Sequence, residues 1–114
     1  MNPKLFAKLS QIEAVSTAHL IGIKKVFLSN SDSQSSLTQF AYGELAAGEK
    51  IETHLHPTME ECFFFIAGSG LFFINDEQFV VEKDVFIHVP ANTPHNMESN
   101  GHEPLSFVYF GVAL

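Results

Sequence analysis

The chain has 114 residues, of which 46% are hydrophobic and twelve are Phe, so it can fold around one apolar core but has no length for a second domain. Thirteen acidic residues against six basic ones give a formal net charge of −7, which disfavours nucleic acid and anionic membranes as partners. All six basic residues are Lys, so the planar, two-pronged contact that Arg makes with phosphates and carboxylates is excluded.

The N-terminal residues predict a short helix, and the rest of the chain predicts β-strands. Asn2-Pro3 followed by Leu5, Leu9 and Ile12 has helical spacing. Short runs rich in Phe, Val, Ile and Tyr then alternate with polar or Gly-containing turns, which indicates an all-β barrel or sandwich. The predicted strands are residues 24–28, 37–45, 51–56, 61–67, 71–75, 78–81, 85–89, 95–98 and 105–112.

The stretch from Thr53 to Gly68, THLHPTMEECFFFIAG, concentrates ligand-type side chains beside apolar ones. His54 and His56 are separated by one residue, so both leave the same face of a strand. A Pro ends that strand, because it cannot donate to the sheet, and Glu61 begins the next strand. Two imidazoles and a carboxylate facing one another across neighbouring strands make three arms of a metal site.

The apolar residues of the same stretch are predicted to form the walls of this site. Period two places Phe63 and Phe65 on the face of Glu61, where they exclude water and strengthen the attraction between ligand and ion. His95, which follows a turn bounded by prolines, is the candidate fourth ligand. Met97 lies on the same face as His95 if a strand follows.

At this point the chain resembles the cupin family. The first cupin motif is a Gly, five residues, His-x-His, three or four residues, Glu, six residues and Gly. It is matched without a gap by Gly48, His54, His56, Glu61 and Gly68. The resemblance covers about residues 37–112 of a single domain, 1–114. It implies a double-stranded β-helix, or jelly-roll barrel, with one divalent ion at its mouth; the implied ligands are His54, His56, Glu61 and His95.

The second cupin motif is matched in part. Pro90 and His95 are present, whereas Asp84, Asn92 and Ser99 replace two Gly residues and an Asn of the motif. None of these departures removes a ligand. Asn tolerates the left-handed backbone that such a Gly adopts, while the turn near Asp84 can differ in shape.

Three nearby residues have alternative interpretations. Glu60 competes with Glu61 as the carboxylate ligand, but strand phase favours Glu61 and predicts a solvated Glu60. His88 shares a face with Phe86 and is either a catalytic proton carrier for the pocket or a structural or surface residue. Cys62 points away from Glu61 and is predicted to be a buried small apolar residue, not a nucleophile.

The last predicted strand, 105–112, is apolar on both faces, whereas a strand with water outside would be polar at every second residue. A second sheet or a second subunit must therefore cover the outer face, and we predict a homodimer.

The single Cys fits a reducing compartment, and the sequence shows neither a signal peptide nor an apolar run of the roughly 18 residues that span a bilayer. These features predict a cytoplasmic protein.

The resemblance leaves the reaction open, because cupins include dioxygenases, isomerases, epimerases, decarboxylases and barrels that only bind a ligand. A pocket of Phe63, Phe65 and Met97 suits a small, neutral or singly charged organic molecule that coordinates the ion through oxygen. Lys50 or Lys83 could contact one anionic group, but their spacing places neither at the pocket.

We therefore predict a metal-dependent enzyme, an oxidoreductase or isomerase, in which the ion acts as Lewis acid and Glu61 or His88 accepts a proton. The alternative is a binding or sensing module in which the metal only anchors the ligand, or a barrel that has kept these residues and binds no ion. Three imidazoles and one carboxylate suit Zn, Fe, Mn, Ni and Co alike.

Overall fold

The computed structural model describes residues 4–17, 19 and 21–114, and its regular structure is almost entirely β. The strands are β1 (Val15–Ser16), β2 (Ile23–Ser29), β3 (Leu37–Leu45), β4 (Lys50–His54), β5 (Met59–Ala67), β6 (Ser69–Ile74), β7 (Glu77–Glu82), β8 (Phe86–Val89), β9 (His95–Ser99) and β10 (Leu105–Ala113). Two single-turn 3-10 helices, Leu9–Gln11 and Asn30–Asp32, complete the regular structure of this part of the chain. Neither is long or apolar enough to cross a membrane.

The strands form two antiparallel sheets that enclose one core. The six-stranded sheet has the order β1-β2-β3-β10-β5-β8, and the four-stranded sheet has the order β4-β9-β6-β7. Strands β3 to β6 and β7 to β10 alternate between the two sheets, whereas β1, β2 and β3 are neighbours in one sheet and β6 and β7 are neighbours in the other. This is the jelly-roll arrangement that the family resemblance implied. The core between the sheets consists of Leu45, Ile51, Phe63, Phe65, Phe72, Val81, Ile87, Val89, Met97, Leu105 and Phe107.

The predicted N-terminal helix is wrong. Among the residues of that segment that the structure describes, only Leu9–Gln11 is helical, and this is a single 3-10 turn. Leu5 and Phe6 are 86% and 88% exposed, so the apolar face has nothing to pack against, and so short a helix needs such packing. Asn2 and Pro3, which begin the predicted helix, lie outside the described residues.

The alternation of β5 decides which side chains reach the interior. Glu61, Phe63 and Phe65 are buried, whereas Phe64 and Ile66 are 42% and 39% exposed. This is the phase that the sequence predicted. It turns the Glu61 carboxylate toward the opposite sheet, where β4 and β9 carry histidines.

Two replacements in the second motif keep the backbone shape that Gly would give. Asp84 has φ 73° and Asn92 has φ 59°, both in the left-handed region. At Asp84 the backbone therefore adopts the left-handed conformation at the position of the motif's Gly. The backbone N–H of Asn92 donates to the carbonyl of His56 at 2.7 Å, which ties the loop after β4 to the turn before β9.

The outer face of the six-stranded sheet remains open. The four-stranded sheet packs on its inner face, and Phe86 on the outer face is 60% exposed, beside the exposed Phe64 and Ile66. Cys62 lies half-buried on this same face, where burial raises the pKa of its thiol. Nothing within the described residues supplies the cover that we predicted, so the second subunit stays a prediction.

Candidate metal centre

Four side chains from the two sheets converge at one end of the barrel. They are His54, His56, Glu61 and His95, and we call them the ligand cluster. One ligand atom from each lies within 4.8 Å of the other three. The strand register explains part of this arrangement, because His54 at the end of β4 is paired with His95 at the start of β9. The loop after β4 brings His56 to the end of β5, which carries Glu61.

The distances within the ligand cluster match the separation of atoms around one ion. Oε1 of Glu61 lies 3.3 Å from Nε2 of His56 and 3.3 Å from Nε2 of His95. A metal–ligand bond of about 2.1 Å places neighbouring ligand atoms roughly 3.0 Å apart around an octahedral ion and about 3.4 Å apart around a tetrahedral one. The observed spacing lies between these two values.

Backbone hydrogen bonds orient two of the imidazoles for binding an ion. Nδ1 of His54 donates to the carbonyl of Glu52 at 2.8 Å, and Nδ1 of His95 donates to the carbonyl of Thr93 at 2.8 Å. Because a carbonyl oxygen can only accept, the proton must be on Nδ1, which leaves a lone pair on Nε2 of the neutral ring. This is the usual support for histidines that bind metal. Burial also lowers the pKa of His54, with a smaller opposing effect from its backbone hydrogen bond, and so favours the neutral ring.

The ligand cluster fits a divalent cation better than it fits hydrogen bonding alone. Nε2 of His95 is buried and makes no hydrogen bond, although the Glu61 carboxylate is only 3.3 Å away. With its proton on Nδ1, the ring has no hydrogen to donate to that oxygen, so two electron-rich atoms face each other. A buried polar atom without a partner is costly, and a cation between the two atoms would satisfy both. These four residues could therefore hold a metal ion.

A largely apolar cavity of about 130 Å³ opens beside the ligand cluster. Phe63 and Met97 line it, as the sequence predicted. Phe65 does not: its ring is fully buried in the core and packs against Phe72 and Phe107, which line the cavity instead. Strand alternation correctly placed Phe65 on the inner face of its sheet. Its ring lies deeper in the core than the cavity wall, behind the rings of Phe72 and Phe107.

His88 lies on the other side of the six-stranded sheet. Ile87 and Val89 point into the core, so His88 shares the outward face with Phe86. Its Nε2 lies 3.4 Å from Oε1 of Glu60, and the side chain is 44% exposed. The structure therefore does not bring His88 to the pocket as a proton carrier. Glu60 is 40% exposed, as expected for a solvated acid.

Three polar residues of the cavity had not been singled out from the sequence. Lys24 of β2 donates from Nζ to Oε1 of Gln39 on β3 at 3.0 Å, and both residues line the cavity. Tyr109 of β10 is a third polar residue of the wall. Burial raises the pKa of Tyr109 to about 12, and the nearby Glu61 carboxylate adds to the effect. The alternation of side chains in β2 could have shown which residues share a face with Lys24. It could not have shown that this face lines the cavity, because that depends on the pairing of β2 with β3.

His19, in the turn between β1 and β2, is a further histidine at the mouth of the cavity. Its ring centroid lies 4.3 Å from that of His54, with the two planes tilted by 48°. Its nitrogens do not join the ligand cluster. Burial lowers the pKa of His19, and the nearby His56 ring lowers it further. The residue lies in a turn far along the chain from the motif, and no spacing rule points to it.

Comparison with known proteins identifies relatives of this chain. A family model described as the cupin domain matches residues 41–111. Among curated proteins, the uncharacterized protein MJ1618 of Methanocaldococcus jannaschii is 38% identical over 61 residues, which cover 54% of this chain and 49% of that protein. The tetracenomycin polyketide synthase protein TcmJ of Streptomyces glaucescens is 32% identical over 66 residues, 58% of this chain and 44% of that protein. The chain thus spans about half the length of these curated relatives.

A solved structure shares nearly the whole fold. The crystal structure of a predicted oxalate decarboxylase from Thermotoga maritima superposes with a TM-score of 0.88 and covers 96% of this chain and 100% of that one. The sequence identity is 20%, so the similarity establishes the fold and leaves the reaction undetermined.

Proposed function

This chain belongs to the cupin family, and on that premise we propose that it is a metal-dependent enzyme acting on a small, oxygen-bearing organic molecule. The ligand cluster would hold one divalent ion of Zn, Fe, Mn, Ni or Co. The observation that carries the proposal is the buried Nε2 of His95, which has no hydrogen-bond partner and lies 3.3 Å from the Glu61 carboxylate.

The cavity sets the size of the substrate. An apolar cavity of roughly 150 Å³ is known to accept benzene, so the 130 Å³ here holds about six non-hydrogen atoms of a substrate. Phe63, Phe72 and Met97 offer apolar walls, and the ligand cluster lies at one side. A substrate therefore binds with its oxygen atoms toward the ligand cluster and its carbon skeleton against the rings.

The residues of the chain would position the substrate and control the protons around it. The bound ion would act as Lewis acid on a substrate oxygen. Glu61, buried beside the ion position, is the carboxylate closest to any proton released there. The neutral Tyr109 hydroxyl can donate a hydrogen bond to a substrate oxygen, because its pKa of about 12 keeps it protonated at neutral pH.

The relatives are compatible with this substrate class without defining it. The Streptomyces relative is named as part of a polyketide synthase, and the Thermotoga structure as a predicted oxalate decarboxylase. Polyketides and oxalate both carry closely spaced oxygen atoms, which can bind a divalent ion in pairs. We take this shared chemistry as support for an oxygen-chelating substrate.

A second candidate function is a binding or sensing module in which the ion only anchors the ligand. The observation that favours it is the position of His88, which lies outside the pocket beside Glu60. Its absence from the cavity leaves Glu61 and Tyr109 as the proton-handling groups beside the proposed ion. Binding of a chelating molecule without its conversion would support this module over the enzyme.

The experiment that tests the proposal begins with elemental analysis of the purified protein. The protein is then reconstituted separately with each of the five ions and screened for oxygen uptake, decarboxylation and isomerisation of small hydroxy and oxo acids. We expect about one ion per chain and turnover with at least one ion, and both should be lost in His95→Ala. Metal binding without turnover would favour the binding module, and a folded protein that takes up no ion would exclude both functions.

A further inference from the structure

Lys24 points into the same cavity as the ligand cluster. It is directly paired with Gly43 of β3, and Gly43 is paired on its other side with the buried Phe107 of β10. Directly opposed residues in a sheet share a face, so Lys24 lies on the inner face. A Cβ atom at Gly43 would lie 2.5 Å from the Phe107 ring, so only glycine leaves the ring this position. The neighbouring Lys25 pairs with Tyr42 and points to the opposite face.

The ammonium group of Lys24 has no anionic partner among the residues that the structure describes. Its hydrogen bond at 3.0 Å goes to the amide oxygen of Gln39, which carries no charge. Within the described part of the chain, Lys24 forms no ion pair at 4.0 Å or less. An ammonium has three N–H donors, so two remain available. A half-buried charge beside apolar walls is stabilised by a counter-charge, and a bound anion can provide one.

Gln39 and Glu61 connect this lysine to the ligand cluster. Both residues are paired with Gly111 of β10, so the three lie in one row across the sheet. A Cβ atom at Gly111 would clash with Oγ1 of Thr38 and lie 3.2 Å from Sδ of Met59, so glycine lets these side chains approach the backbone between Gln39 and Glu61. Two strand spacings of about 4.8 Å put their Cα atoms roughly 10 Å apart. The side chains of Gln39 and Glu61 extend into this space, so the distance between their polar ends is comparable with the length of a small organic molecule.

We propose that Lys24, held by Gln39, is an anion subsite, and that the substrate is a small organic acid with two polar ends. One end binds the ion through oxygen atoms, and the other carries a single carboxylate that contacts the Lys24 ammonium. This inference rests on the proposed function, because it takes the ligand cluster as the position of the ion. It narrows the substrate from an oxygen-bearing molecule to an anionic one.

The charges of the chain favour one carboxylate over a phosphate. Lys24 contributes one positive charge as a compact ammonium, and the chain has no Arg to grip a dianion with two prongs. The buried Glu61 carboxylate and the net charge of −7 also oppose a second negative charge on the ligand. A monoanionic end group therefore matches the subsite.

The test compares two ligands that differ in charge and not in shape. Succinic acid monohydroxamate chelates a metal through its hydroxamate and carries a free carboxylate, whereas the corresponding ω-amide carries a neutral carboxamide of the same size. Zn is the ion of choice, because it has no redox chemistry. Metal content is measured first by elemental analysis, and the affinity of each hydroxamate is then measured by titration calorimetry.

The wild-type protein loaded with Zn should bind the carboxylate at least about tenfold more tightly than the amide, which is the scale of one hydrogen bond to a charged group. Lys24→Met keeps most of the length of the side chain and should remove this preference. The matched control, Lys25→Met, changes a lysine on the opposite face and should keep it. Malonic and glutaric analogues then report which ligand length spans the two subsites.

The outcomes separate this inference from the proposed function. If the protein takes up no Zn, both proposals fail. If it takes up Zn and the wild type binds the acid and the amide equally, the anion subsite is overturned while the metal site stands. The anion subsite is also overturned if Lys24→Met still binds the acid more tightly than the amide. Lys24→Gln serves as a second variant, with the fold of each variant checked by circular dichroism.

Discussion

The buried Nε2 atom of His95 lies 3.3 Å from Oε1 of Glu61 and makes no hydrogen bond. The other nitrogen of the ring is bonded to the carbonyl of Thr93, so the atom that faces the carboxylate presents a lone pair. His56 approaches the same oxygen at the same distance of 3.3 Å. One carboxylate oxygen therefore faces two imidazole nitrogens, an arrangement that a shared cation would stabilise.

Removal of one imidazole should remove most of the bound metal. We expect His54→Ala, His56→Ala and His95→Ala each to reduce metal content from about one ion per chain to a small fraction of that, because each takes away one of four ligands. The apolar core does not include these residues, so the β circular dichroism signal should persist. The measurement is elemental analysis after dialysis.

His88→Ala is the control for these three variants, because its ring lies on the outer face beside Glu60. It should keep the wild-type metal content. His19→Ala tests the ring that contacts His54 without joining the ligand cluster, and it should change metal affinity much less than the three ligand variants. Full metal content in all three ligand variants would refute the assignment of the cluster.

The two adjacent glutamates should differ in their effect on metal affinity. Glu61→Gln keeps the shape of a buried side chain and removes the charge beside the ion position, so we expect affinity to fall by roughly tenfold or more. Glu60→Gln changes an acid that is 40% exposed on the outer face, where solvent screens its charge, and should have little effect. Competition with a chelator measures both affinities. Equal losses would show that both acids contact the ion.

We propose that two copies of the chain pair through the outer face of the six-stranded sheet. Phe64 and Phe86 are 42% and 60% exposed there, and Val108 and Phe110 of β10 lie beside them around a shallow depression. Light scattering at micromolar concentration should report about twice the chain mass of 12.7 kDa. Phe86→Lys should shift the protein toward monomer, because two lysines would be buried in a symmetric contact.

Val80→Lys is the matched control for the pairing surface. Val80 is 66% exposed, but it lies on β7 in the other sheet. It should leave the measured mass unchanged. A monomeric wild type at the same concentration would show that the apolar outer face of the six-stranded sheet does not hold two copies together.

Tyr109 should make the metal-free protein less stable at alkaline pH. Burial, with help from the Glu61 carboxylate, raises its folded-state pKa from 10.0 to about 12. Above pH 10 the unfolded chain releases this proton while the folded chain keeps it, so the free energy of unfolding falls as pH rises from about 10 to 12. Two pKa units correspond to roughly 2–3 kcal/mol.

Tyr109→Phe should remove this part of the alkaline destabilisation, because the residue no longer ionises in the unfolded chain. Urea unfolding between pH 9 and pH 12 measures the effect, and tyrosinate absorbance follows the titration directly. Tyr42, whose pKa burial also raises, remains in this variant as an internal reference. A Tyr109 that titrates near pH 10 in the folded protein would contradict the prediction.

Local spacing was enough to predict the features that depend on one strand or one turn. Period two in β5 determined that Glu61 points inward with Phe63 while Phe64 points outward, because successive side chains leave a strand on opposite faces. The positive φ of Asn92 likewise follows from a residue type that tolerates the left-handed region. The spacing of His54, His56 and Glu61 indicated three arms of one site, and the resemblance to the cupin motifs implied His95 as the fourth ligand.

The arrangement of the sheets decided what spacing could not. Alternation groups His88 with Phe86 on one face of β8, but only the packing of the second sheet on the other face makes theirs the outer one. Lys24 comes to the cavity because β2 pairs with β3 and β3 with β10, which are contacts between residues distant in the chain. The sequence by itself therefore predicted nine of the ten strands in the described part of the chain, the phase of β5 and the candidate ligands, since these depend on neighbouring residues. It did not predict β1, and it extended β4 to His56, which lies in the loop after that strand. The tertiary structure decided which faces enclose the cavity and which distant side chains meet there, since that depends on strand pairing and on the burial of apolar area between the two sheets.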